Sequence, residues 1–324
     1  MSKEQGRDVT PEWRLMTIGR GSLANVSILT GRTIAFKHVI VQARKQELIT
    51  EFRTLCAVYN QCDSDSFFSI PQAHAYYDPD DAQSYSFTGR RQSPGSGSTS
   101  RRRLLGPSLI REEDFELLGL ETAAYAMDQV QPLPLKFAQV VRNLFYPDTA
   151  KAAPVPSLCR IYFGKVISDV GREGQPRRFF NSSNFPLDVG RYQKAVDADA
   201  AGLYPDVKDI AYGMGEMLGR LHGRAGYDGR DIEFVLGGRG FSDTSFYVID
   251  FNQVREWNRT MEQIPILVQA FFSNDPYYPR PIPDNPLYAE FKSGYLDGYP
   301  ADLVELALSF FTAIEAEQAQ RGRQ

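Results

Sequence analysis

The sequence predicts an α+β fold in two lobes, with a small β-rich N-lobe at about residues 10–130 and a mainly helical C-lobe over 131–324. Three observations lead there. Residues 13–40 form short apolar strands between glycine-bearing turns, as hairpins require. Residues 206–223 carry Val207, Ile210, Met214, Met217, Leu218 and Leu221 at helical steps. Two short apolar strands then bring acidic side chains together, Glu233 at the head of one and Asp250 at the end of the other. A chain of 324 residues can bury two lobes. Its 42% hydrophobic and 23% charged fractions are those of an ordinary globular protein.

In chain order, Trp13 to Ile18 reads as a strand, followed by the glycine turn Gly19-Arg-Gly-Ser-Leu-Ala-Asn-Val26 and the strand Ser27 to Leu29. A Thr-Gly-Arg turn leads to a third strand, Thr33 to Val39. Residues 43–60 show helical spacing, with Leu48, Phe52, Leu55 and Cys56 on one face and Glu47 and Glu51 beside it. The pattern breaks over 78–112. The stretch Gly89 to Arg103 is polar, basic and rich in glycine and serine, so about 85–106 reads as a disordered insertion. Thr122 to Val130 reads as a strand entering an interlobe hinge at Gln131-Pro-Leu-Pro134. A proline-rich loop, Tyr146 to Pro156, precedes the strand Leu158 to Gly164. After Asp250, helices are expected at 261–272 and 299–319, joined by the Pro/Tyr-rich connector Asn274 to Pro281.

Charge and composition exclude several classes. A formal net charge of -4 gives no global sign of nucleic-acid binding and no reason to expect DNA as a partner. A phosphate backbone would have to meet local basic stretches: Arg90, Arg91, Arg101, Arg102 and Arg103, which otherwise read as a solvated or phosphorylation-regulated loop, or a second stretch of Arg172, Arg177 and Arg178. The N-terminal residues lack the apolar core of a secretion signal, and no apolar run is long enough to span a membrane. A cytoplasmic protein without a membrane partner is therefore expected. Cys56, Cys62 and Cys159, with His38, His74 and His222, form no tight zinc-ligand spacing, so no metal site is expected and the thiols read as buried and reduced.

Two constellations carry chemistry. The first is Gly19-x-Gly21-x-x-Ala24-x-Val26 with Lys37 on the strand after next. Such glycines let a turn's N–H groups approach phosphates, and the strand lysine meets the same phosphates. Glu51, or else Glu47, would pair with Lys37; the plain alternative is a hairpin with a surface lysine. The second is Asp228, Asp231, Glu233 and Asp250. Such carboxylates hold Mg²⁺ or act as a base. The plain alternative is that Asp228 or Asp231 caps a turn and Glu233 pairs with Arg230. In protein kinases the catalytic-loop aspartate is followed five residues later by an asparagine, and a second aspartate opens the next motif. Here Glu233 follows Asp228 at that spacing and Asp250 stands for the second aspartate, so the two-lobed fold reads as protein-kinase-like. The His-Arg-Asp triplet is absent. His222 closes the helix Met214 to His222 and reads as a packed helix-end residue.

Leu158 to Gly164, Asn184 to Leu187, Ala225 to Gly237, Ile249 to Gln253 and Asn274 to Pro281 together resemble, over roughly residues 120–300, a fungal family described as zinc-finger-like, and within it the fungal arginine-containing cyclodipeptide synthases. The resemblance implies an aminoacyltransferase that joins arginine and a second amino acid, taken from arginyl-tRNA and another aminoacyl-tRNA, into a cyclo(Arg-Xaa) diketopiperazine for secondary metabolism, without a cofactor. Acyl transfer of that kind would ask for a base, here Asp228 or Asp231, an oxyanion donor, Lys37 or a glycine-loop N–H, a guanidinium partner, Glu233 or Asp250, and basic residues such as Arg177 and Arg178 against the tRNA. Two alternatives stand beside it. One is a Mg-ATP-dependent small-molecule kinase, with Gly19, Gly21, Lys37 and Glu51 lining a nucleotide pocket. The other is a catalytically inactive kinase-like binding module.

Overall fold

Short apolar strands joined by turns make the first stretch of chain a sheet. In the computed structural model, which describes residues 14–81, 86–87, 110, 112–167, 184–199, 202–240 and 243–322, this sheet belongs to one of two compact units. The first unit comprises residues 1–52 and 73–129, and the second 53–72 and 130–324. The basic stretches at Arg90, Arg91, Arg101, Arg102 and Arg103 and at Arg172, Arg177 and Arg178 lie outside the described residues, as does most of the expected insertion at 85–106.

In the first unit, β1 (Leu15–Arg20), β2 (Ala24–Leu29), β3 (Ile34–Val39), β4 (Ala73–Tyr77), β5 (Ser86–Phe87) and β6 (Ala124–Asp128) form one antiparallel sheet in the order β1-β2-β3-β6-β4-β5. β3 is buried at five of its six positions and forms the middle of the sheet. α1 (Lys45–Cys62) starts in this unit, with its polar first turn exposed and Leu48, Glu51 and Phe52 buried, and its residues from 53 onward belong to the second unit. The short helix α2 (Glu112–Leu117) sends Phe115 edge-on against Phe36, with ring centroids 5.5 Å apart, into a core with Leu29, Ile34, Ala75 and Ala126. The edge strand β1 leaves Leu15, Met16 and Ile18 exposed.

The second unit is mainly helical around a small sheet. Its elements are α3 (Leu135–Phe145), β7 (Leu158–Tyr162), β8 (Asn184–Asp188), α4 (Val189–Ala198), α5 (Val207–Arg220), β9 (Glu233–Arg239), β10 (Asp243–Ile249), α6 (Ile264–Ser273), α7 (Pro286–Gly298) and α8 (Val304–Arg321). The strands run in the order β10-β9-β7-β8, with β7 and β8 parallel and the other pairs antiparallel. α5 opens with a capping box of Asp206 and Asp209, the acid-first pattern that satisfies orphan N–H groups. It buries its apolar stripe and continues into a π turn, Leu221–Ala225. Phe271, Tyr278, Phe291, Tyr295, Phe310 and Phe311 pack ring against ring beside it.

The helix expected at 206–223 is thus α5 with its π turn, and the one at 299–319 is α8. α7 was not foreseen between the expected helices; Asn285 caps it through Leu287 N–H at 2.9 Å and Pro286 sits in its first turn, where no N–H partner is needed. No helix among the described residues is long and apolar enough to cross a membrane.

Candidate functional site

The site grows from the end of α5. Gly226, at φ +76°, turns the chain out of the helix, and Trp257 Nε1 donates to the His222 carbonyl at 2.9 Å. Arg259 holds the same turn through the carbonyls of Gly223 and Arg224, both at 2.8 Å. The His222 ring is fully enclosed. Its Nε2 lies 3.2 Å from the Asp228 carbonyl, which can only accept, so Nε2 carries the proton and Nδ1 accepts from the Tyr295 hydroxyl at 2.8 Å. Burial pushes its pKa down to about 3, so the ring is neutral and serves as packing rather than as a base.

Asp228 opens the loop to β9. Its Oδ1 accepts the N–H groups of Arg230 and Arg255, at 3.1 and 2.8 Å, and its Oδ2 accepts Arg255 Nε at 2.6 Å. The carboxylate has 0% exposure. A base must reach its substrate, and this one faces inward, tying two loops together. The geometry assigns Asp228 to holding the loop, and three further acids lie beyond it.

Those acids are Asp231, Glu233 and Asp250. Glu233 begins β9 and pairs in register with Ile249 of β10, so Asp250 follows directly beside it. Asp231 and Asp250 both have left-handed backbones, φ 61° and 67°. Asp231 is exposed, and Gln253 Nε2 donates to its Oδ2 at 2.5 Å. Partial burial, and then the charge of Asp250, raise the Asp231 pKa. Burial also raises the Glu233 pKa, opposed by the guanidinium of Arg160 and assisted by Asp250. Arg160 Nη2 donates to Glu233 Oε1 at 2.5 Å, so the partner of Glu233 is a residue of β7 and not the adjacent Arg230. Arg160 and Tyr162 alternate with buried Cys159 and Ile161, which turns them to one face of β7. There Tyr162 meets Tyr277 edge-on at 4.9 Å and carries Lys165 Nζ over its ring at 4.6 Å.

The first unit holds the other constellation. Lys37 Nζ lies 2.5 Å from Glu51 Oε1, and Tyr125 donates its hydroxyl to the same oxygen at 3.2 Å. Lys37 is thereby a buried, paired lysine and not a surface one, while Glu47 pairs with Arg44. Gly19 lies within β1 and Gly21 begins the β1–β2 turn, where its N–H donates to the Ala24 carbonyl at 2.9 Å. Among the described residues, no group of three or more His, Cys, Asp or Glu side chains could hold a metal ion.

Sequence reasoning missed Arg160, Gln253, Arg255 and Asn274. Only Arg160 left a signal, as a cation alternating with apolar residues on a strand. The others act through loop geometry, which no periodicity encodes.

Residues 246–299 match the model of the family described as DUF3669, Zinc finger protein. The matched stretch contains neither cysteine nor histidine, so zinc-finger ligands of those types are absent from it. No curated protein matches the chain. The expected kinship with the fungal arginine-containing cyclodipeptide synthases is corrected here: the family found is the zinc-finger-labelled one, over residues 246–299 alone, and no synthase family was found.

Proposed function

We propose that the chain is a kinase-like transferase whose second unit offers an acidic site to a substrate bearing an amine or a guanidinium, and takes a proton from that substrate's nucleophile as a group is transferred to it. The observation that carries this reading is the β9–β10 register, which sets Glu233 and Asp250 side by side next to Asp231. Carboxylates with raised pKa values are better proton acceptors near neutral pH, and Asp231 is the exposed one.

The buried Lys37–Glu51 pair behind a β hairpin supports Mg-ATP as the group donor, since that pairing orients a lysine toward phosphates in kinases. In the second unit, Glu233 and Asp250 would be the residues to hold a Mg²⁺ ion, whose chemistry would be charge neutralisation. Two carboxylates suit an ion that takes its remaining ligands from water and phosphate. One observation favours a second donor. Glu233 is turned to Arg160, which leaves it less free for a metal. Aminoacyl-tRNAs, with arginine as one of the coupled amino acids, would supply an already activated ester and need no ATP.

The test is product analysis by mass spectrometry after incubating the purified chain with small amines and guanidines, once with Mg-ATP and once with a charged tRNA pool. A phosphorylated product that disappears on Asp250→Asn supports the first donor. An arginine-containing peptide product formed without ATP supports the second. Folded protein giving neither product overturns the transferase reading.

A further inference from the structure

We propose that Asn274 is a positioning residue that fixes Asp231 for proton transfer, an inference that rests on the reading of Asp231 as the base. Asn274 closes α6, and its own backbone is pinned on both sides. Its N–H donates to the carbonyls of Ala270 and Phe271, at 3.1 and 3.2 Å, and its carbonyl accepts from Tyr277 N–H at 2.9 Å. The residue is 3% exposed.

From that anchor the side chain spans the loop before β9. Nδ2 donates to the Gly229 carbonyl at 2.6 Å and lies 3.2 Å from the Tyr278 hydroxyl. Oδ1 accepts the Asp231 N–H at 2.5 Å. A primary amide is the side chain that offers a donor and an acceptor at one fixed spacing, so a single group clamps the chain on both sides of Arg230. The clamped residues are both left-handed, Gly229 at φ 64° and Asp231 at φ 61°. Such a backbone at a non-glycine residue persists only where the surroundings hold it. Buried N–H and carbonyl groups outside a ladder also need partners. Asn274 meets both needs at once. Gln253 then grips the carboxylate itself at 2.5 Å, so Asn274 sets the backbone of Asp231 and Gln253 sets its side chain.

The test compares wild type with Asn274→Ala and Asn274→Asp. The aspartate keeps an acceptor for the Asp231 N–H and loses the donor to Gly229. Amide hydrogen exchange at residues 229–231, read against α6, needs no substrate. Slow exchange at Asp231 is expected in wild type, intermediate exchange in Asn274→Asp and at least tenfold faster exchange in Asn274→Ala, with α6 changed less. On an active enzyme, kcat falls at least tenfold in Asn274→Ala while KM holds. Wild-type protection of the Asp231 amide in Asn274→Ala, or loss spread evenly over α6, overturns the positioning role. An Asp231→Asn variant with full turnover overturns instead the assignment of the base, and leaves the exchange result to stand for the clamp alone.

Discussion

Single residues here are decided by what encloses them. His222 is the clearest case, a histidine in the π turn at the end of α5 that the fold has made into a neutral strut between Asp228 and Tyr295. Its folded pKa of about 3 lies below the ordinary value of 6.5. Between those values the unfolded chain binds the proton and the folded chain does not. The stabilisation is therefore complete above pH 6.5 and is lost as the pH falls toward 3, by up to about 1.4 kcal/mol per pH unit. His222→Gln cannot titrate. Urea unfolding at pH 7 and at pH 4.5 is expected to show the wild-type advantage over His222→Gln narrowing at the lower pH; a constant gap would mean that the ring is protonated in the native state. The helix-end packing of His222 was legible from its place after an apolar stripe. The inward turn of Asp228 was not, because its partner Arg255 stands beyond the hairpin β9–β10.

At the scale of elements, the tightest contact is the crossing of α5 and α7. Gly215 and Gly219 on α5 face Phe291 and Tyr295 carbonyls, and Gly294 and Gly298 on α7 face the carbonyls of Tyr212 and Glu216. A methyl group at any of the four would lie far inside van der Waals contact with a backbone oxygen that cannot move alone. Small residues four apart on each helix let the two backbones meet. Gly215→Ala and Gly294→Ala are each expected to cost about 3 kcal/mol or more, at the upper end of overpacking effects. Gly240→Ala, where nothing lies within 4 Å but φ is +76°, should cost only about 1–2 kcal/mol of backbone strain. Thermal melts of the three variants check the order. α7, which the sequence did not predict, carries two of these glycines, Gly294 and Gly298. Isolated glycine weakens a helix, and only the presence of α5 across the interface makes it an asset.

For the molecule as a whole, the zinc-finger description of residues 246–299 and the chemistry of the described chain point in different directions. Cys62 and Cys159 are buried, and Cys56 is half-buried. Burial pushes the thiols of Cys56 and Cys62 up, to about 11 and 12, and that of Cys159 higher still, whereas zinc binds thiolates. Dialysis against EDTA is expected to leave the melting temperature unchanged and the purified chain to hold less than one equivalent of zinc by plasma mass spectrometry. A melting temperature lowered by chelation would show a structural metal. What the sequence determined by itself was local: the antiparallel hairpins of 15–39, the helix α5 with its buried stripe, the end-to-end placement of Glu233 and Asp250, and the division into a β-rich stretch and a helical one. These follow from periodicity and turn chemistry, which act within a few residues. Tertiary structure alone decided the rest: that Lys37 pairs with Glu51 and not Glu47, that Glu233 receives Arg160, that Asp228 faces inward to Arg255, and that Asn274 reaches back to Asp231. Each depends on a partner distant in the chain, and a hydrogen bond is satisfied by geometry in space, which residue order does not state.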